Sequence, residues 1–295
     1  MSTAGAPLLT VEGVTKRFGG VVAVDDVAFT VEEATITGLV GPNGSGKTTL
    51  LGCLSKMLRP TAGRMLLRGV DYTAEPAHRL RRLGIARTFQ NIRLLPGLSV
   101  RENVTLGLDA DGVGVRDWLR SRRREADKRA QADRLLDELG LAEHADRPAG
   151  ALPYGLQRRV EIARALATEP SLLLLDEPVA GMNDAEIKEI AAGLVAMRRR
   201  GIAMILVEHH LDLVMEVCDA LVVLDFGRVI ATGRPAEVAR LPVVREAYFG
   251  SRHQDHPPAD APGAHGAHRL PGREPAPGGE PLPEPEGGSH GAAVG

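Results

Sequence analysis

The run Gly41-Pro42-Asn43-Gly44-Ser45-Gly46-Lys47-Thr48-Thr49 fits the pattern G-x-x-x-x-G-K-[ST] and constrains the fold more than any other segment. The apolar stretch Ile36 to Val40 ahead of it reads as a buried strand, and a helix is expected from near Lys47 onward. Strand, glycine-rich turn and helix in that order make a cradle for phosphate. Gly41, Gly44 and Gly46 let the backbone turn tightly and aim N–H groups inward, and the helix N-terminus favours anions. Lys47 supplies a charge for the β- and γ-phosphates of a nucleotide, and Thr48 a hydroxyl for a phosphate-bound Mg2+.

Two further apolar runs, Leu172 to Leu175 and Met204 to Val207, have the length and continuity of strands buried on both faces of a parallel sheet. Each ends in acidic or histidine residues, where sites on α/β sheets lie. Asp176 is placed to hold Mg2+ through its water shell, and Glu177 to orient or deprotonate an attacking water. The adjacent His209 and His210 point to opposite sides of their strand end and make a poor chelating pair. Alternating residues from Leu8 to Val14 and from Ala28 to Val31 predict antiparallel strands ahead of the loop, and Gly63 to Gly69 another short strand. From about Arg101 to Gly140 the chain turns charged and helical, as in Trp118 to Leu139, which predicts an α-helical subdomain inserted at about residues 91–160. Ala220 to Leu224 reads as a last strand, closed by the turn Asp225-Phe226-Gly227, with a helical end from Pro235 to Tyr248.

One folded domain is therefore expected over residues 1–250. Residues 251–295 are rich in Pro, Gly, His and Glu and nearly free of large apolar side chains, which predicts a disordered tail. The irregular spacing of His253, His256, His265, His268 and His290 favours a linker over a metal site. A net charge of −2 gives no global attraction to nucleic acid, and the arginine clusters at 79–82, 122–124 and 198–200 are brief. Cys53 and Cys218 lack the spacing of a metal site or disulfide framework, so a reducing cytoplasm is the default. Neither a leader nor a span of about eighteen apolar residues is visible, so work at a membrane would use a partner's span.

The segment Leu152-Pro153-Tyr154-Gly155-Leu156-Gln157-Arg158-Arg159-Val160-Glu161-Ile162-Ala163-Arg164-Ala165-Leu166 resembles the signature of ATP-binding-cassette ATPases, at close to the family's usual distance ahead of Asp176. The resemblance implies an α/β P-loop ATPase core with an antiparallel β layer and an inserted helical subdomain. It also implies that Tyr154 and Gly155 close over ATP held by a second ATPase subunit. Arg87-Thr88-Phe89-Gln90 resembles the family's glutamine loop, in which Gln90 would touch Mg2+ and water. Val207-Glu208-His209-His210 resembles its histidine switch; assigning the γ-phosphate contact to His209 rests on register with the family. Phe18 matches the aromatic that stacks on adenine, with an ordinary core phenylalanine as the alternative, and Ala180 to Asn183 matches the loop that crosses the dimer interface.

Arg87 to Val104, the Tyr-Gly signature, Pro178 to Asn183 and the ending Ala247-Tyr248-Phe249-Gly250 are similar to the larger ATPase subunit of branched-chain amino acid importers. That branch implies ATP and Mg2+, a second ATPase subunit, two transmembrane permeases and an extracytoplasmic substrate-binding protein. It implies no nucleic acid, and a peripheral position on the cytoplasmic face of the cell membrane. Import of urea or amides, lipid export, and a soluble cassette protein outside transport are the competing readings. Leu156 in place of the signature's polar residue, Asn183 in place of an aspartate, and a short insertion between Asp109 and Trp118 depart from the branch.

Overall fold

Strands β1 (Leu9–Phe18) and β2 (Val21–Val31) pair antiparallel and bury Leu9, Val11, Val14, Val24, Val27 and Phe29 on one face. This is the half-buried alternation of a sheet with one wet side. The computed structural model describes residues 6–90, 92–108 and 121–250. After β2 comes β3 (Ile36–Val40), all five residues buried, and then helix α1 (Lys47–Leu54). Strands β4 (Ala62–Leu67) and β5 (Val70–Asp71) extend the first layer to the order β2-β1-β4-β5.

The second sheet is built from β3, β6 (Ile85–Arg87), β7 (Leu172–Asp176), β8 (Ala203–Val207), β9 (Ala220–Asp225) and β10 (Arg228–Gly233), in the order β10-β9-β3-β8-β7-β6. It is parallel from β9 through β6, and β10 returns antiparallel on β9. Because β3 lies between β8 and β9, the phosphate-loop pattern leaves from the middle of the sheet. Helix α1 fills the gap between the two sheets: Leu50, Leu51, Cys53 and Leu54 share a core with side chains of both. The four leucines of β7, each contributing about 1.5–3 kcal/mol on burial, make its strand end a rigid platform. Asp176 is in register with Val207, which sets Glu177 and Glu208 level at adjacent strand ends.

Helices α2 (Val100–Leu108), α3 (Ser121–Glu138) and α4 (Tyr154–Leu166) form the helical arm, entered from β6 and left towards β7. Buried Asn103 on α2 pins the approach to the arm, accepting from the Leu95 amide at 2.9 Å and donating to the Leu95 and Ser99 carbonyls at 3.0 Å each. Helices α5 (Asp184–Arg199), α6 (Leu211–Val217), α7 (Pro235–Val238) and α8 (Pro242–Gly250) complete the fold.

Two differences from the sequence reading have simple causes. Strand β10 carries no alternation to announce it, since Ala231 is its one buried residue. The helical end is split at Leu241 because Pro242 has no N–H with which to continue a helix. Trp118, the short insertion at 109–118, Asn91 and the 251–295 tail lie outside the described residues. Among the described residues no helix is long and apolar enough to cross a membrane.

Candidate nucleotide site

Between β3 and α1 the chain turns so tightly that a side chain is sterically barred at Gly46. With φ of 101°, a Cβ there would lie 2.4 Å from the Ala23 carbonyl oxygen. Gly46 caps α1 without a side-chain bond, so the first amides of the helix keep their donor capacity for a ligand. The Ser45 hydroxyl is buried and finds no partner, a polar atom placed where a ligand oxygen could satisfy it. Gly41 and Lys47 are buried, Pro42 and Thr49 half-buried, and Asn43, Gly44 and Thr48 exposed, so the loop is anchored at its ends and open at its crest. Lys47 Nζ donates to the Gly41 and Pro42 carbonyls at 2.7 Å each. Burial lowers its pKa, and the nearby Glu177 charge opposes that shift in part.

Glu177 stands just past the end of β7, at φ 47°. Its Oε2 accepts from Gln90 Nε2 at 3.0 Å and its Oε1 lies 2.9 Å from His209 Nε2. Three segments far apart in sequence thus converge on one carboxylate. His210 is exposed at the N-terminus of α6 without a capping bond, so His209 alone turns to Glu177. Asp176, almost fully buried, pairs with Arg87 Nη2 at 2.8 Å, and Arg87 Nη1 donates to Ser55 Oγ at 2.6 Å.

Glu208 links the two strand ends. Buried, it accepts from the Val179 amide at 3.0 Å and the His209 amide at 3.1 Å. Burial raises its pKa; the backbone amides oppose this and the Glu177 charge adds to it.

Phe18 is 47% exposed at the end of β1 with Lys16 over its ring, which excludes the alternative of a core phenylalanine. Tyr154 is exposed at the N-terminus of α4, and no hydrogen bond joins Tyr154 or Gly155 to the 41–49 loop among the described residues. A Cβ at Gly155 would lie 2.6 Å from Glu186 Oε1. Glu186 is held there by a capping box on α5: its carboxylate accepts from the Asn183 amide at 3.0 Å, while Asn183 Oδ1 accepts from the Glu186 and Ala185 amides. Asparagine serves that cap as well as aspartate does, which accounts locally for Asn183.

Arg87, Arg158, Glu161 and Glu208 were missed as site residues. The signal that could have found the helical pair is a charged i,i+3 couple on the face of α4 that also carries Ile162 and Ala165. Arg158 and Glu161 are both buried there, 2.7 Å apart. Removing one partner of such a pair costs about 3–5 kcal/mol.

A phosphate loop on a central parallel strand, facing acidic strand ends, defines a P-loop nucleoside triphosphatase. Residues 24–180 match the family described as "ABC transporter", and residues 228–254 that described as "Branched-chain amino acid ATP-binding cassette transporter". The chain is 39% identical over 250 residues to the high-affinity branched-chain amino acid transport ATP-binding protein BraF of Pseudomonas aeruginosa, covering 83% of this chain and 98% of BraF. It is 38% identical over 250 residues to LivG of Escherichia coli, with the same coverage. A crystal structure of an ATP-binding cassette of an ABC transporter in its ADP conformation superposes with a TM-score of 0.75 at 33% identity, over 83% of this chain and all of that one. The chain belongs to the ATP-binding-cassette family and is a nucleotide-binding ATPase.

Proposed function

We propose that this ATPase energises the import of branched-chain amino acids from the cytoplasmic face of a membrane. The observation that carries the reading is the match over residues 228–254, described for branched-chain amino acid cassettes in particular; the names of BraF and LivG support it. Its partners are a second ATPase subunit, two permeases and an extracytoplasmic substrate-binding protein, with no nucleic acid. Residues 1–250 act as the ATPase domain, with the helical subdomain at about 91–160, and residues 251–295 as a linker.

In this reading ATP lies along residues 41–49 with adenine against Phe18. Its phosphates take over Lys47 Nζ from the Gly41 and Pro42 carbonyls. The Thr48 hydroxyl, the Asp176 carboxylate and the Gln90 amide oxygen are hard oxygen donors of the kind that suits Mg2+, and the orphaned Ser45 hydroxyl marks a place for a ligand oxygen beside them. Thr48, Asp176 and the amide oxygen of Gln90 would hold the ion, which would neutralise charge on the β- and γ-phosphates. Glu177 takes a proton from water as the water oxygen bonds to the γ-phosphorus, and the bond from that phosphorus to the bridging oxygen breaks with ADP as leaving group. Gln90 and His209 hold the carboxylate, and His209 is the donor that can turn to the γ-phosphate. Tyr154 and Gly155 close the partner's ATP.

Affinity purification of the tagged chain with its partners, reconstitution into vesicles and addition of the binding protein should give ATP-dependent uptake of leucine, isoleucine and valine. Uptake confined to urea or amides, or export of lipid, would overturn the cargo.

Leu156 is half-buried against the hydrophobic core that the helical arm shares with the parallel sheet, where the family's signature has a polar residue. The site that this signature closes therefore has one hydrogen bond fewer. Leu156→Gln in the assembled complex should raise ATP turnover about fivefold, the worth of a bond of about 1 kcal/mol; an unchanged rate would sink the idea.

A further inference from the structure

Arg158 heads the largest fully buried side chains among the described residues. Nη1 donates to the Phe89 carbonyl and to Glu161 Oε2, the latter at 2.7 Å. Nη2 donates to the Gln90 carbonyl at 2.7 Å, and lies 3.3 Å from Tyr154 Oη and 3.5 Å from the Glu177 carbonyl. Glu161, one turn further on, accepts from the Phe89 amide at 3.3 Å. The Phe89 residue is thereby gripped at both its N–H and its C=O. One planar fork, dry and charge-assisted, meets the glutamine loop, the acidic strand end and the tyrosine that opens α4.

We infer that Arg158 is a positioning residue for ATP hydrolysis, tying the signature end of α4 to the backbone of Gln90 and Glu177. The inference rests on the proposed roles of Gln90 and Glu177. Arg158 fixes the backbone of both residues, and the Gln90 side chain then meets the Glu177 carboxylate at 3.0 Å. Anything that shifts Tyr154 or Gly155 is therefore felt at the carboxylate of this chain's own site. A misplacement of about 1 Å there is enough to slow a positioned reaction by about a hundredfold.

The test uses the full-length chain purified with its native partners, and a double-mutant cycle. Arg158→Lys keeps the charge opposite Glu161 but cannot fork to three carbonyls. It should lower kcat about tenfold, with KM for ATP and Tm near their parental values. In a Gln90→Ala background the same substitution should lower kcat less than threefold, because the side chain that carries most of its effect to the Glu177 carboxylate is gone and only the long 3.5 Å approach to the Glu177 carbonyl remains. An undiminished tenfold loss in that background, or a parental kcat in Arg158→Lys alone, would overturn the inference. If Arg158→Lys does not fold, Glu161→Gln, which keeps an acceptor for the Phe89 amide, takes its place in the cycle with the same criterion. Parental turnover in Glu177→Gln would remove the underlying reading and the inference with it, and is read separately from the cycle.

Discussion

Glu177→Gln should abolish steady ATP hydrolysis, by about a thousandfold in kcat, while ATP still binds with near-parental affinity. The expected size is that of a positioned general base. The substitution isolates this role because the amide has the carboxylate's shape and the neighbours can adapt. Gln90 Nε2 can still donate to the amide oxygen, and His209 can switch tautomer to accept from the amide nitrogen at the Oε1 position, 2.9 Å away. What disappears is the capacity to take a proton from water. Phosphate release measured beside binding of a fluorescent nucleotide separates the two effects; hydrolysis at the parental rate would mean that another group takes the proton.

Lys47→Ala should act at the other step and weaken ATP binding about a hundredfold, in line with a charge-assisted bond worth about 1.5–3 kcal/mol. The folded protein should not suffer with it. Because burial holds the Lys47 pKa below its ordinary value, the native state binds fewer protons there than the unfolded chain does. Ionisation therefore costs stability at pH below the lowered pKa, and the cost disappears as pH rises past the unfolded value. Removing the ammonium at neutral pH relieves that cost but also removes its bonds to the Gly41 and Pro42 carbonyls, so Tm in the absence of nucleotide should change little. ATP affinity of the parental chain should begin to fall at a lower pH than a free lysine would dictate, and that fall should vanish in Lys47→Ala. Titration of nucleotide binding against pH checks both, and a lowered Tm with unchanged affinity would contradict the assignment.

The phosphate loop, the fully buried strands β3, β7 and β8, and the strand-end carboxylates were legible because continuous apolar runs and glycine-lysine spacing are local signals. The convergence of Gln90 and His209 on Glu177 was legible only through resemblance, since Gln90 lies 87 positions from Glu177 and no periodicity spans that gap. Arg87 and Arg158 escaped for a related reason. Arg87 closes a strand and looks like an ordinary solvated end, and Arg158 stands among the arginines of a helix that looks amphipathic; only the folded backbone brings acceptors to them. Strand β10 lacked any alternation to read, because the neighbours Val229 and Ile230 are both half-buried beside the buried Ala231.

The capping box of α5 places a carboxylate directly over Gly155. Position 155 is therefore under two independent constraints, one from any nucleotide that approaches it and one from the chain's own scaffold. In a mutational scan of the signature, loss of function at Gly155 will report folding and ligand contact together. Pairing each variant there with a shortened side chain at Glu186 is the way to pull the two apart.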